Sequence, residues 1–439
     1  MIKFAGVHLM MGNLKYPQGK LYWNRELCVS IIADTMNRDR FFELRNYLHF
    51  VDINKPNADD KLWKIRPLID PILKRCHKLS RSKHMSIDEQ IISFSGRCEF
   101  RQYVPSKPNS LGLKNFILAA RDGLVLDFEI YVGKNTLPQE VVKSLGLGAG
   151  MVEKLCRTIV NSCVLYTDRF FTSLKLAELL LQKNNGIFLS GTVMINRIGP
   201  VTKKLKADKV RQKGHWDEKV RSDERVCVVK WMDTKPVTML STCTGGTPAD
   251  TCKRWCKKQK RKIDVDRPAA IRNYNTCMGG IDLCDRLIAY YRCSMRTNKW
   301  TVRTFCHFLD LIAVNCWIMY RRCCAEEDIQ RKDKLELLPY GLNLAKEMMN
   351  YAGGRVELPR TTSRSSTSAS KRSRLNVTDD ELDYVDEPPA KKRRQIIPQP
   401  PTETRLDNVG HQPRFVDNNF ASKCRHPKCF SRCRTICVK

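Results

Sequence analysis

Four carboxylates stand where the chain otherwise reads as apolar strand or glycine-led helix. Asp88 lies in Met85–Arg97, within the run Ile87-Asp88-Glu89-Gln90-Ile91-Ile92, where apolar and polar residues do not alternate cleanly. Asp168 closes an apolar stretch, in Tyr166-Thr167-Asp168-Arg169-Phe170-Phe171. Asp282 follows Met278-Gly279-Gly280-Ile281, and Asp285 comes one helical turn later on the same face. A carboxylate in a buried strand is costly unless something cationic pairs with it. Three carboxylates, from two strand ends and a helix start, can hold two divalent ions a few ångströms apart for in-line phosphoryl displacement. Mg²⁺ suits such oxygen donors. Each acid alone has a plainer reading: Asp168 could cap the helix beginning near Ser173, and Asp282 could cap its own helix. Glu89, next to Asp88, is expected to face the other side of the strand and so leaves the set. No Gly-x-x-x-x-Gly-Lys loop and no serine-centred nucleophile elbow is present, which argues against an ATPase and a serine hydrolase.

The elements that must position these acids follow from the pattern around them. Residues 1–83 read as helical, with Phe41, Leu44, Tyr47 and Leu48 on one face and Ile69, Ile72, Leu73, Cys76 and Leu79 on another. The stretch Met1 to Met11 starts inside an apolar periodic pattern with no N-cap before it, so the chain is expected to begin partway through a domain. Leu113 to Ala120 and Leu124 to Val132, joined through Arg121-Asp122-Gly123, predict a hairpin. Then come a helix from Met151, a strand from Cys163 to Asp168, a helix from Ser173 to Gln182 and a strand from Ile187 to Val193. This order is an α/β layout with a mixed sheet. Val226 to Met232 and Val237 to Thr242 predict a small β pair, and 277–350 returns to helix, with Phe305, Phe308, Leu309, Ile312 and Cys316 at helical spacing. Those aromatics read as a buried helix face.

Composition narrows the partners. A length of 439 residues allows two to four domains, and Lys+Arg 78 against Asp+Glu 46 gives a formal charge of +32. Such a chain attracts polyanions, so nucleic acid is the natural partner. A membrane is the weaker alternative, because no apolar run is expected to reach the ~18 residues of a spanning helix. Most of the 20 cysteines sit singly in apolar patterns and no secretory signal is evident, which fits a reducing intracellular compartment. The positive block Lys253–Lys262, including Lys257, Lys258 and Arg261 and interleaved with Trp255, leans toward phosphate contact over a merely solvated face. Beyond about 358 the Ser/Thr/Arg-rich and acidic stretches cannot bury a core and are expected to be disordered. Within them Pro388-Pro389-Ala390-Lys391-Lys392-Arg393-Arg394 is similar to a nuclear localisation signal, implying a nuclear import receptor and a nuclear location.

At these residues the chain resembles the piggyBac family of cut-and-paste DNA transposases and their domesticated descendants. The resemblance is carried by Ser86-Ile87-Asp88-Glu89-Gln90 with Gly96-Arg97, Tyr103-Val104-Pro105-Ser106-Lys107-Pro108, and Gly112-Leu113-Lys114. It continues through Thr167-Asp168-Arg169-Phe170-Phe171-Thr172-Ser173, Gly191-Thr192-Val193, Lys230-Trp231-Met232-Asp233 and Tyr274-Asn275. It ends with Met278-Gly279-Gly280-Ile281-Asp282, Asp285 and Thr297-Asn298-Lys299-Trp300. These motifs are collinear over most of residues 1–345.

The resemblance implies an RNase H-like catalytic core with an insertion domain, flanked by helical DNA-binding and dimerisation segments and followed by a disordered C-terminal tail. In this chain that gives a helical DNA-binding and dimerisation segment at 1–83, incomplete at its start, and the core at 84–195 and 266–296 around an insertion domain at 196–265. A second helical segment follows at 297–358, then a linker with the basic cluster at 359–420 and an incomplete Cys-rich zinc module at 421–439. By matching motif, Asp88, Asp168 and Asp282 resemble the three aspartates that hold two Mg²⁺ ions, with Asp285 in support. The implied reaction is cleavage at a transposon end, hairpin resolution and joining into TTAA, by a homodimer on double-stranded DNA. Trp300, beside Lys299, is a candidate for stacking on an unpaired base, with a core helix-capping tryptophan as the equal alternative. Cys424, His426, Cys429, Cys433 and Cys437 suffice for one tetrahedral zinc, but the family's two-zinc cross-brace needs more. The competing function is a domesticated nuclear DNA-binding protein that has kept the fold and cuts nothing.

Overall fold

Strand β1 (His84–Ser93) carries Asp88 through the middle of a mixed sheet whose other members are β2 (Arg101–Tyr103), β3 (Leu111–Ala120), β4 (Val125–Ile130), β5 (Cys163–Thr167) and β6 (Ile187–Thr192). β7 (Trp216–Val220), β8 (Cys227–Met232) and β9 (Pro236–Ser241) extend it, giving the order β2-β3-β1-β5-β6-β9-β8-β7 with β4 also on β3. In this computed structural model the described residues are 1–351 except 106, 108, 183–185, 206–211, 257–258 and 294–295, together with strand backbone at Gln412–Phe415, Ser422–Lys423, Arg432–Cys433 and Thr435–Val438.

The arrangement β4-β3-β1-β5-β6, antiparallel on one side of β1 and parallel on the other, is the α/β core the motifs implied. β1 and β3 bury consecutive side chains, polar ones among them, because both faces of the sheet are covered. The hairpin forms where expected, its turn passing through Gly123 at a φ of 91°, a left-handed value that favours glycine.

Ten helices are described: α1 (Ile2–Leu14), α2 (Ser30–Thr35), α3 (Arg38–Asn46), α4 (Arg66–Cys76), α5 (Gln139–Cys156), α6 (Leu174–Gln182), α7 (Ala269–Cys277), α8 (Gly280–Tyr291), α9 (Trp300–Glu326) and α10 (Leu337–Asn350). α4, with Ile69, Ile72 and Cys76 inward, joins the main core. The earlier helices instead share a second core with the late ones: Phe4, Val7, Met10, Tyr22 and Phe41 meet Phe305 of α9 and Met349 of α10. The two ends of the expected helical flanks therefore pack on each other.

α9 is anchored to the sheet by polar groups as well as apolar ones. The Asn315 amide bonds both the N–H and the C=O of Val125, at 3.0 and 2.9 Å, and Arg322 makes two bonds to the Asp122 carboxylate at 2.7 and 2.8 Å. Contrary to the expectation that no apolar run is long enough, α9 is long and apolar enough to cross a membrane by length and composition alone. In the fold its apolar stripe, including Phe308, Leu311, Val314 and Ile318, is buried in the main core, which explains that composition without a bilayer.

The stretch 196–265, read as an insertion domain, divides in two. β8 and β9 form the expected pair, yet they continue the central sheet, because β9 runs antiparallel to β6 with Ser190 opposite Ser241. Only β10 (Asp250–Cys256) and β11 (Arg261–Arg267) make a separate ribbon. Lys230-Trp231-Met232-Asp233 holds that ribbon: the buried indole of Trp231 donates to Asp266 O at 2.7 Å, and Asp233 pairs with Arg254 at 3.1 Å. The described cysteines outside the C-terminal unit are free thiols.

A second unit spans Glu357–Lys439. Its described backbone comprises β12 (Gln412–Phe415) antiparallel to β15 (Thr435–Val438), and β13 (Ser422–Lys423) antiparallel to β14 (Arg432–Cys433). β12 falls inside the stretch expected to lack structure, drawn into a ladder by the strand at the chain's Cys-rich end. Cys433 and Cys437 lie in β14 and β15, whereas Cys424, His426, Cys429 and the Pro388–Arg394 cluster lie outside the described residues.

Candidate active site

The parallel pairing of β1 with β5 ends at Ile87 opposite Thr167, so Asp88 and Asp168 are the next residues on two neighbouring strands. Adjacent strands lie ~4.8 Å apart, and the carboxyl ends of parallel strands are where α/β sheets place their sites. β5 stops because Asp168 turns the chain: its Oδ1 accepts from Phe170 N at 2.8 Å and its carbonyl from Thr172 N at 3.0 Å. It does not cap the following helix. Ser173 does that, its Oγ accepting from Leu176 N at 3.2 Å.

The third acid arrives on α8. Gly279 is the N-cap and Asp282 lies inside the first turn, so the N-cap place open to it in the sequence is taken by the glycine. α8 begins hard against the sheet: a Cβ on Gly280 would stand 2.4 Å from Ala120 O and 3.0 Å from Ser86 Oγ. That approach is open only to glycine. Asp285 follows one turn on, half-buried, its Oδ1 accepting from Gln90 Nε2.

A phenol feels the charge of three of these acids. Tyr274 on α7 is held up at about 12, first by burial and then by the charges of Asp168, Asp88 and Asp282, against a hydrogen bond with Thr192. Burial likewise pushes Asp88 up to about 8, opposed mainly by Lys107, whose Nζ lies 4.0 Å from Asp88 Oδ1. Asp168 and Asp285 are raised for the same leading reason. Lys114 stands over the rings of Phe116 and Phe170, 4.7 Å from each, its pKa lowered by burial and raised by Glu89, Asp88 and Asp168.

Glu89, set aside on the sequence, starts from the opposite face of β1 as alternation implies, yet its charge is felt at Asp88 and Asp168. Glu89, Lys107, Lys114 and Tyr274 were not legible as site members; the only trace of them was their place inside the matched motifs.

The donor chemistry suits a hard cation: oxygen ligands only, carboxyls raised by burial, and a lysine drawn toward Asp88. As they stand, however, no group of three or more described His, Cys, Asp or Glu residues is spaced to hold one metal ion. A cation would have to draw the acids inward.

The proposed DNA contacts are less concentrated. Trp300 is the first residue of α9, half-buried, its ring edge-to-face with Phe100 at 5.2 Å. Lys299 Nζ donates to Asn46 O at the end of α3, so its ammonium already caps a helix. Arg261 is exposed at the start of β11, with Nε 3.0 Å from Gln259 Oε1, near a Trp255 that is 57% exposed. Lys257 and Lys258 lie outside the described residues.

Residues 1–317 match the family model described as Transposase IS4. The chain is 30% identical over 328 residues to the human PiggyBac transposable element-derived protein 3, covering 72% of this chain and 54% of that protein. It is 29% identical over 337 residues to the human PiggyBac transposable element-derived protein 2, covering 74% and 55%. The chain thus spans about half the length of the curated relatives it matches. A solved structure, a cryo-EM piggyBac transposase synaptic complex with hairpin DNA, superposes with a TM-score of 0.68 at 23% identity, covering 79% of this chain and 70% of that one. At that identity the likeness speaks to the fold.

Proposed function

Because the chain belongs to the piggyBac family of transposases, we propose that it cleaves and joins DNA by phosphodiester chemistry at Asp88, Asp168 and Asp282. The observation that carries this reading is the register of β1 on β5, which sets two of the acids side by side on neighbouring strands, Asp88 midway along β1 and Asp168 just past the end of β5. Asp88, Asp168 and Asp282 would hold two Mg²⁺ ions, with Asp285 in support; bound there, Mg²⁺ supplies the positive charge that in-line displacement at phosphorus requires. The chain's own residues prepare the site. Partial burial keeps Asp88 and Asp168 poorly solvated, so a cation and a phosphate are accepted together there, with Asp282 at the exposed mouth of the set. Lys107, close to Asp88, can turn to a phosphate oxygen when a cation replaces it. Tyr274, protonated at neutral pH, remains a hydrogen-bond donor within reach of the charge of Asp168, Asp88 and Asp282.

The substrate in this reading is double-stranded DNA, a transposon end and a TTAA target, engaged by a homodimer. The charge of +32 supports a polyanionic partner. The half-buried face of Trp300 supports a flat platform for an unpaired base, and the exposed Trp255 with Arg261 supports backbone contact by the β10–β11 ribbon. Lys391–Arg394 supports import into the nucleus, and Cys433 and Cys437, with Cys424, His426 and Cys429, support a single zinc. One observation favours a second reading, a DNA-binding protein that does not cut: the relatives are named transposable element-derived proteins. Excision of an element bearing the repeats that flank the gene, wild type beside Asp168→Asn, separates the two. Excision lost in the variant supports the enzyme; equal outcomes sink it.

A further inference from the structure

Gln90 lies two residues beyond Asp88 on the same face of β1 and is 1% exposed. Its amide reaches two helices at once. One end meets Asp285 Oδ1 on α8, and the other meets His307 Nε2 on α9 at 2.8 Å. Chemistry fixes the polarity of this chain. A carboxylate only accepts, so the end facing Asp285 is the NH₂ group and the carbonyl faces His307. The ring can complete the link only by donating from Nε2. His307 is buried and its pKa is pushed down to about 3, chiefly by burial, so the ring is neutral and carries a single N–H, which this geometry assigns to Nε2.

Nothing about filling the space between β1, α8 and α9 calls for an amide and an imidazole. Apolar side chains of the same volume would serve, and two buried polar groups are costly unless both are satisfied. Here both are, and the chain ends on the carboxylate one turn from Asp282. Strand β1 thus carries the first acid and, two residues on, the group that grips the last.

We propose that Gln90 and His307 are positioning residues: His307 sets the rotamer of Gln90, and Gln90 holds Asp285, fixing where α8 presents Asp282 to Asp88. The effect on metal binding rests on the reading of these acids as a divalent-cation set. Neighbours that orient metal-binding groups typically change affinity by ~10–100-fold when replaced.

The test is Mn²⁺ binding, followed by electron paramagnetic resonance on the full chain, beside urea unfolding. Gln90→Met keeps the volume and loses both bonds, and His307→Phe keeps the ring and loses the donor. Affinity is expected to fall about tenfold or more in Gln90→Met and less in His307→Phe. In an Asp285→Ala background, which leaves Gln90 no acceptor on α8, Gln90→Met should weaken binding no further, an outcome that a merely structural role would not give. Wild-type affinity in both folded single variants would overturn the proposal, as would an undiminished loss in the Asp285→Ala background. If Gln90→Met does not fold, His307→Phe carries the same comparison. If the wild type itself binds no Mn²⁺, the metal reading fails. The link is then decided by the metal-free urea cycle of His307→Phe with Asp285→Ala: coupled effects support it and additive effects overturn it.

Discussion

Replacing Gly280 with alanine is a one-carbon change whose consequences the geometry fixes. The new Cβ would stand 2.4 Å from Ala120 O, whereas real Cβ contacts essentially never fall below 3.0 Å. Ala120 O cannot retreat, because it accepts from Gly123 N at 3.0 Å in the β3–β4 turn. The start of α8 must therefore move off the sheet by at least about 0.6 Å. Overpacking of this kind costs ~1–3 kcal/mol. Alanine recovers up to ~1 kcal/mol through its better helix propensity, so with that recovery in full the net loss should be about 0–2 kcal/mol. The larger effect is on the site, since a misplacement on the order of 1 Å can lower a rate ~100-fold. Gly279→Ala is the control next door: nothing lies within 4 Å of its Cβ, and its φ of −77° suits any residue. It should change stability by less than ~1 kcal/mol, the worth of an N-cap preference. Urea unfolding and Mn²⁺ titration of the two variants read both effects. Weakened Mn²⁺ binding in Gly280→Ala alone is expected; if both glycines tolerate alanine equally, α8 is not docked as described.

Further outcomes follow from other parts of the fold. His8 is buried among Phe4, Phe41 and Phe305, and burial pushes its pKa from 6.5 down to about 4, so its contribution to stability is complete above pH 6.5 and lost as the pH falls through about 4. The shift corresponds to roughly 3 kcal/mol, so His8→Leu should flatten the acid side of the stability profile by that order, measured by urea unfolding from pH 7 to 4. Asn315→Leu strips Val125 of both side-chain partners in a buried place, and a loss of roughly 2–4 kcal/mol is expected in the same assay. Trp300→Leu keeps an apolar contact for Phe100 but removes a flat ring. First-strand cleavage should persist while hairpin opening fails, and normal opening would remove the stacking role.

How far the sequence could be read depended on the range of the interaction. The hairpin at 111–130, the strands at 163–167 and 187–192 and the helix at 174–182 follow from local periodicity and turn chemistry, and the structure has them. The acids were visible because a carboxylate at the end of an apolar run is a local anomaly. What stayed hidden was set by register and docking. The β8–β9 pair could be foreseen, but its attachment to β6 depends on a pairing some fifty residues apart in the chain. Which of two neighbouring glycines is indispensable depends on where Ala120 O lies. Alternation assigns the Cβ direction of Glu89 but says nothing of how far its charge reaches, which is why its influence on Asp88 and Asp168 was not legible. Capping by Ser173 in place of Asp168 is a shift of five residues that composition does not resolve.

The central claim is that Asp88, Asp168 and Asp282 together hold divalent cations. Mn²⁺ binding by the wild type, Asp88→Asn, Asp168→Asn and Asp282→Asn, read by electron paramagnetic resonance at one protein concentration, tests it directly. Saturable binding to the wild type that is lost or greatly weakened in each variant is the predicted result. Binding that survives all three substitutions unchanged, or a wild type that binds no Mn²⁺, would contradict it.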